Sequence, residues 1–211
     1  MEVINVMAVS LDGKIASYPG EPDAERRQLG FTNDDDHQHL IELVRSADAI
    51  VVGRSSIEAS GGAFQEPNQE GRSPIWVVLS RSGPSESSVL WRQTGVERWL
   101  VTQEPLPSRS LDPKCRNIVA GKGSAARAAL EALRSAGAQR VLLFGGAEIN
   151  GLFYNENLVD RIILTICPII LGEGAPVPII RGKLNSPVKM SLVYSQCKGN
   201  LVFLNYKIHK N

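Results

Sequence analysis

The sequence predicts an α/β domain built on a mostly parallel central sheet flanked by helices, on three observations. Short apolar runs recur at Val3 to Val9, Ala49 to Val52, Ile75 to Leu79, Trp99 to Val101 and Val141 to Phe144, each stopped by polar residues or glycine. Helical or loop segments separate them, as parallel strands require. The C-terminal third changes character, with strands at Arg161 to Cys167, Val188 to Gln196 and Leu201 to Ile208. The last two are joined through Lys198-Gly199-Asn200 as an antiparallel hairpin.

Taken in order, Val3 to Val9 is a central strand running into the loop Ser10-Leu11-Asp12-Gly13-Lys14. Asp34 to Arg45 is a helix, because Leu40, Ile41, Leu43 and Val44 fall near one face and Thr32, Asn33 and Asp34 are capping candidates. Gly61 to Ser73 is polar and reads as a mobile loop. Ala125 to Ala136 is rich in alanine and leucine, with Ser124 placed to cap its start and Gly137 its end. After the strand Val141 to Phe144 comes a turn, Gly145-Gly146, and then a short helix from Ala147 to Tyr154.

With 211 residues, 43% of them apolar and 21% charged, the chain is expected to form one domain over residues 1–211. A net charge of +1 gives no field to draw it onto nucleic acid or an anionic membrane, so a small-molecule partner is expected. The longest apolar run, Ile162 to Leu171, is about half the ~20 residues of a membrane helix and reads as a buried strand. The N-terminus shows no secretory pattern, which makes the cytoplasm the expected location. Cys115, Cys167 and Cys197 are odd in number and widely spaced, and are expected as buried thiols rather than a disulfide or metal set. His37 and His39 would point to different faces of their helix and share no metal.

The strongest chemical signal is the order strand, Gly145-Gly146, helix. Glycine lets backbone approach a phosphate, and the N–H groups of a helix start meet its charge, although the same order also makes a plain tight turn. Glu148 would repel a pyrophosphate, and its side chain is expected to point away. Gly121-Lys122-Gly123-Ser124-Ala125-Ala126 competes as a dinucleotide fingerprint, but the next strand ends in Phe144-Gly145-Gly146 instead of the acidic residue that fingerprint needs. Gly53-Arg54-Ser55-Ser56 and Ser80-Arg81-Ser82 each place a cation and hydroxyls just after a strand, suited to a phosphate monoester or equally to solvated loops. Asp12 and Lys14 could position a polar substrate, or Asp12 could simply form an Asp-Gly turn. Motifs of hydrolases, zinc deaminases and P-loop enzymes are absent from the sequence.

Together, Val9-Ser10-Leu11-Asp12-Gly13-Lys14-Ile15-Ala16, Ala47 to Arg54, Leu143 to Gly146 through Leu158-Val159-Asp160, and Pro168 to Gly174 resemble the pyrimidine reductase family of riboflavin biosynthesis. That family is the C-terminal reductase domain of bifunctional deaminase-reductases. The resemblance implies a dihydrofolate-reductase-like fold, a homodimer, and NADPH as cofactor. The reaction it implies reduces the ribosyl chain of a ribosylaminopyrimidine 5′-phosphate to ribityl.

The resemblance also implies a cofactor site of Ala8, Phe31, Gly53, Arg54, Ser55, Ser56, Ser80, Arg81, Gly145, Gly146, Ala147 and Glu148. Asn5, Asp12 and Arg45 would face the substrate; no catalytic acid and no metal site are assigned. Three positions depart from the family pattern: Phe144 replaces a glutamate, Gly61-Gly62 stands where Asp-Asp-Pro is common, and Val6 stands where lysine or asparagine is usual. The last change shifts Asn5 to the other strand face unless a bulge intervenes. Two alternatives follow: a reductase of the same fold acting on a pterin or another carbonyl compound, or an NADPH-binding protein without catalysis.

Overall fold

Nearly every residue of the central strands is buried on both faces, which explains why they read as apolar runs rather than as alternating patterns. A computed structural model describes residues 1–68, 70–83, 88–106 and 115–210. Within them nine strands form one sheet: β1 (Glu2–Ser10), β3 (Ala49–Gly53), β4 (Ile75–Leu79), β5 (Arg98–Thr102), β6 (Cys115–Val119), β7 (Arg140–Gly145), β8 (Arg161–Cys167), β10 (Met190–Lys198) and β11 (Leu201–Ile208). Their order is β10-β11-β8-β1-β7-β3-β4-β5-β6. From β8 to β6 all neighbours are parallel, and β11 and β10 add the antiparallel hairpin. Two short strands, β2 (Lys14–Ala16) and β9 (Val177–Pro178), pair separately.

Helices cover both faces. Ala49 and Val51 pack toward α4 (Ala125–Ser135) and α5 (Ala147–Asn155), whereas Ile50 and Val52 pack toward α2 (Asp34–Arg45) and α3 (Arg54–Ala59). This is the two-residue alternation of a strand between two helical layers. The Asn33 side chain accepts hydrogen bonds from the Asp35 and Asp36 N–H groups at 2.9 and 3.1 Å, and α2 begins where that cap allows. In α4 the buried residues Ala126, Ala129, Leu130 and Leu133 form one stripe, Ser124 caps the start, and Gly137 leaves at φ +86°. A further short helix, α1 (Asp23–Gln28), buries none of its residues. No helix among the described residues is long and apolar enough to cross a membrane.

Two expectations change. The apolar run from Ile162 does not continue as strand to Leu171: β8 ends at Cys167 before Pro168, and Ile170 is 70% exposed. Of the three cysteines only Cys167 is fully buried, while Cys197 lies exposed on β10. The stretch Gly61 to Ser73 is irregular, as expected, with residue 69 outside the described residues.

One irregularity places a functional side chain. Along β3 and β7, Val51 pairs with Leu143 but Val52 pairs with Gly145, so Phe144 is an extra residue with no partner on β3. A bulge of this kind bends the strand and re-aims its side chain.

Candidate functional site

Parallel strands end together, and at their C-terminal ends the chain must turn away, which leaves a crevice where open α/β sheets take ligands. Here a cleft of about 560 Å³ lies at that edge. Its walls include Met7 of β1, Gly53 of β3, Leu79 of β4, Val101 of β5 and Phe144 of β7. A second wall comes from the segment 15–26, through Ile15, Ala16, residues 18–21, Asp23 and Arg26, with Val177 and Arg181.

The start of α5 is shaped by three glycines. Gly145 and Gly146 have φ of +64° and +93°, which side-chain-bearing residues rarely adopt. A Cβ on Gly145 would lie 2.1 Å from the Asn150 Oδ1, and one on Gly53 would lie 2.9 Å from Ile149 Cγ1. Those two positions are glycine for internal packing. A Cβ on Gly146 would meet Ser56 Oγ at 2.7 Å, filling the gap between the starts of α3 and α5. No side chain caps α5, and Gly146, Ala147, Glu148 and Ile149 all line the cleft. Its first-turn N–H groups therefore supply a positive rim suited to a diphosphate.

Cations surround this rim. Arg54 donates from Nη1 to Ser82 Oγ at 2.9 Å and to the Gly83 carbonyl at 3.3 Å, which holds its guanidinium beside the loop after β4. Arg81 is 90% exposed and lies 3.6 Å from Glu148. Glu148 thus lines the cleft and partners an arginine, contrary to the expectation that it points away. An exposed pair at that distance is weak, so Arg81 is available to a phosphate. Ser55, Ser56, Ser80 and Ala147 also line the cleft.

The other expected site residues lie elsewhere. Ala8 packs against Phe31, Cys167, Leu201 and Phe203, and Phe31 is wholly buried there with the Arg26 guanidinium 4.9 Å above its ring. Gly145 is buried and absent from the cleft wall. β1 pairs in register with both neighbours, with no bulge, so Asn5 points to the α5 side. There it donates to the Leu143 carbonyl at 2.9 Å and Asn150 Oδ1 at 3.1 Å, and accepts from the Tyr154 hydroxyl at 3.1 Å. This buried network leaves Asn5 no free group for substrate. Arg45 ion-pairs with Glu66 at 2.8 Å away from the cleft.

Asp12 is an exposed loop tie. It accepts from Ser10 Oγ at 2.6 Å and from the N–H groups of Leu171 and Gly172 at 3.1 and 2.8 Å. The Ser10 hydroxyl first, and those amides next, hold its carboxyl down at about 2. Lys14 enters β2 opposite Pro178. Burial pushes the Cys167 thiol up to about 12, which leaves it inert. No group of three potential metal ligands occurs among the described residues, and His37 and His39 pack against different rings, Phe64 and Phe203. At the competing fingerprint both glycine amides are already bonded: Gly121 N–H donates to the Gln103 carbonyl after β5 and Gly123 N–H to the Ala120 carbonyl.

Among the cleft residues that sequence reading misses are Glu21, Arg26 and Arg181. Pro22 followed by Asp23 and Glu25, with Arg26 and Arg27 at the end, carries the charge order of a short helix. Glu21 and Arg181 have no local signal. Behind Arg26, burial lifts the carboxyl of Asp36 above the usual range, against a hydrogen bond from Thr165 and the charge of Arg26. The bulged Phe144 ring meets Trp76 edge-on at 6.0 Å, so an apolar ring stands in the cleft wall.

Comparison with known proteins agrees with this geometry. A sequence model of the RibD C-terminal domain matches residues 1–204. The chain is 27% identical, over 85% of its length and 82% of the relative's, to the 2,5-diamino-6-ribosylamino-4(3H)-pyrimidinone 5′-phosphate reductase of Aquifex aeolicus. It is 25% identical to the protein of the same name from Methanothermobacter thermautotrophicus, over 98% of this chain and 97% of that one. In fold it is similar to a pyrimidine reductase-like protein of Corynebacterium diphtheriae, with a TM-score of 0.81 at 23% identity, covering 100% of this chain and 92% of that one.

Proposed function

The chain belongs to the RibD C-terminal domain family, and from that premise we propose that it is an NADPH-dependent reductase of riboflavin biosynthesis. It reduces the ribosyl chain of a ribosylaminopyrimidine 5′-phosphate to ribityl. The observation that carries this reading is the uncapped start of α5 at the sheet's C-terminal edge, beside Arg54 and Arg81. Two relatives that match most of this chain bear the name of such a reductase.

The residues fit a dinucleotide. The Ala147 and Glu148 N–H groups would hold the diphosphate, and Arg54, Arg81 and Ser80 the adenosine phosphate. When bound, the dihydronicotinamide supplies the hydride. The protein's part is positioning: Met7, Ile15, Phe144 and Val177 give the cleft an apolar lining that excludes water from the reacting carbon. A reductase of another flat heterocycle or carbonyl compound is a second reading, favoured by the Phe144 ring in the cleft wall.

The enzyme acts as a homodimer through β10. All nine residues of this edge strand are exposed, and Leu192, Val193 and Tyr194 are each more than half exposed. An apolar edge of that length is an aggregation hazard unless covered, and a second copy covers it by symmetry.

The test is direct. Purified protein given NADPH and the ribosylaminopyrimidine 5′-phosphate, in its deaminated and undeaminated forms, oxidises one NADPH per ribityl product formed. Absence of oxidation with both forms overturns the proposal.

A further inference from the structure

The segment 15–26, which supplies the second wall, holds three buried polar atoms without hydrogen-bond partners: Glu21 Oε1 and Arg26 Nε in residues that line the cleft, and Ser17 Oγ behind them. Folding leaves such atoms orphaned rarely, because each forfeits its hydration for nothing. Glu21 is the most telling of them. It is 3% exposed yet lines the cleft, and its Oε2 is anchored by the Ser17 N–H at 2.7 Å, which leaves Oε1 as a fixed acceptor. The dinucleotide takes the arginines and the α5 rim of the other wall, so this wall is left for the second reactant.

We propose that Glu21 is a specificity-determining residue whose Oε1 receives an N–H from an exocyclic amino group, so that the cleft selects the undeaminated pyrimidine. The inference rests on the reductase reading above and names which ring that reductase prefers. The chemistry is one of donors and acceptors. A 2-amino-4-pyrimidinone presents its amino group beside the ring N3–H, on the edge opposite the ribosylamino substituent. These are two donors side by side, suited to a carboxylate. In the 2,4-dione an oxygen replaces the amino group, and an acceptor then faces an acceptor. Sites built to bond a donor reject the analogue lacking it, because the buried acceptor is left unpaired. Arg26 Nε, a donor in the same wall, is of the right kind for a ring carbonyl.

The test is the ratio of the two ring forms, measured in the wild-type protein and in Glu21→Gln, by equilibrium binding in the presence of NADP⁺ and by kcat/KM. Wild type should favour the amino form by about 10- to 100-fold. Glu21→Gln should bring that ratio toward one, because the amide can turn its NH₂ to the oxygen of the dione. A residue with a merely structural role would weaken both forms equally and leave the ratio unchanged, which overturns the proposal, as does a wild-type preference for the dione. Binding separates the two readings: a retained preference without turnover sinks the reductase and keeps the role of Glu21, whereas turnover without preference does the reverse. Binding of neither form sinks both.

Discussion

Gly146 and Ser56 approach so closely that a single added Cβ would stand 2.7 Å from the serine hydroxyl. The contact joins the starts of α3 and α5 at the cleft edge and leaves no room for a methyl group on Gly146. At φ +93° and ψ 142°, a backbone conformation that glycine takes far more readily than other residues, alanine at position 146 is also strained by about 1–3 kcal/mol. Gly146→Ala is therefore expected to weaken NADPH about tenfold or more, read by fluorescence titration. Unchanged affinity in the folded variant would mean that the gap is only a packing feature.

Arg81 is expected to read the adenosine phosphate. One or two charge-assisted bonds correspond to about 10- to 100-fold in affinity. Arg81→Ala should cost NADPH that factor and NADH little, by comparison of their dissociation constants. Equal losses would assign Arg81 no part in cofactor choice.

Asn5 is expected to matter for stability and not for substrate. Its removal leaves the Leu143 carbonyl, Asn150 and the Tyr154 hydroxyl each short of a partner. Asn5→Ala should lower unfolding free energy by about 3 kcal/mol in urea denaturation, with KM for the pyrimidine unchanged at low temperature. A raised KM in stable protein would restore Asn5 to the site.

Asp12 gives a pH signature. Its carboxyl is held at about 2, below the ordinary 3.8, so its contribution is present above 3.8 and is lost as pH falls through about 2. The stability gap between wild type and Asp12→Asn should be open at pH 5 and close progressively toward pH 2. A gap that stays constant over that range would show that the Leu171 and Gly172 amides do not depend on the charge.

The β10 edge predicts an assembly. Val193→Lys with Tyr194→Glu should convert a dimer into a folded monomer by light scattering, because both side chains are exposed and support no core. A wild-type protein that is already monomeric would remove the proposed interface.

How much of this is legible in the sequence follows from where each signal resides. The strands β3, β4 and β7 are readable because helices bury both faces, which leaves apolar runs between glycine and polar stops. Helix α2 is readable to its ends because Asn33 caps it and Ile41, Leu43 and Val44 give it one buried face. The same logic hides α1, which buries nothing and so has no periodicity. It also hides the β2–β9 pair, whose members are short and distant in the chain. At the site, the Gly146 turn and the arginines after β3 and β4 are local features. Glu21 and Arg181 reach the cleft only through tertiary folding. Whether Asn5 faces the cleft and whether Phe144 bulges into it are matters of register, which one skipped residue decides.

The central claim is that the cleft at the start of α5 is the dinucleotide site. The most direct measurement is a crystal structure with NADPH bound. The diphosphate is expected within hydrogen-bonding reach of the Ala147 and Glu148 N–H groups, with the adenosine phosphate beside Arg54 and Arg81. A diphosphate seated instead on the Gly121–Ser124 turn would contradict it.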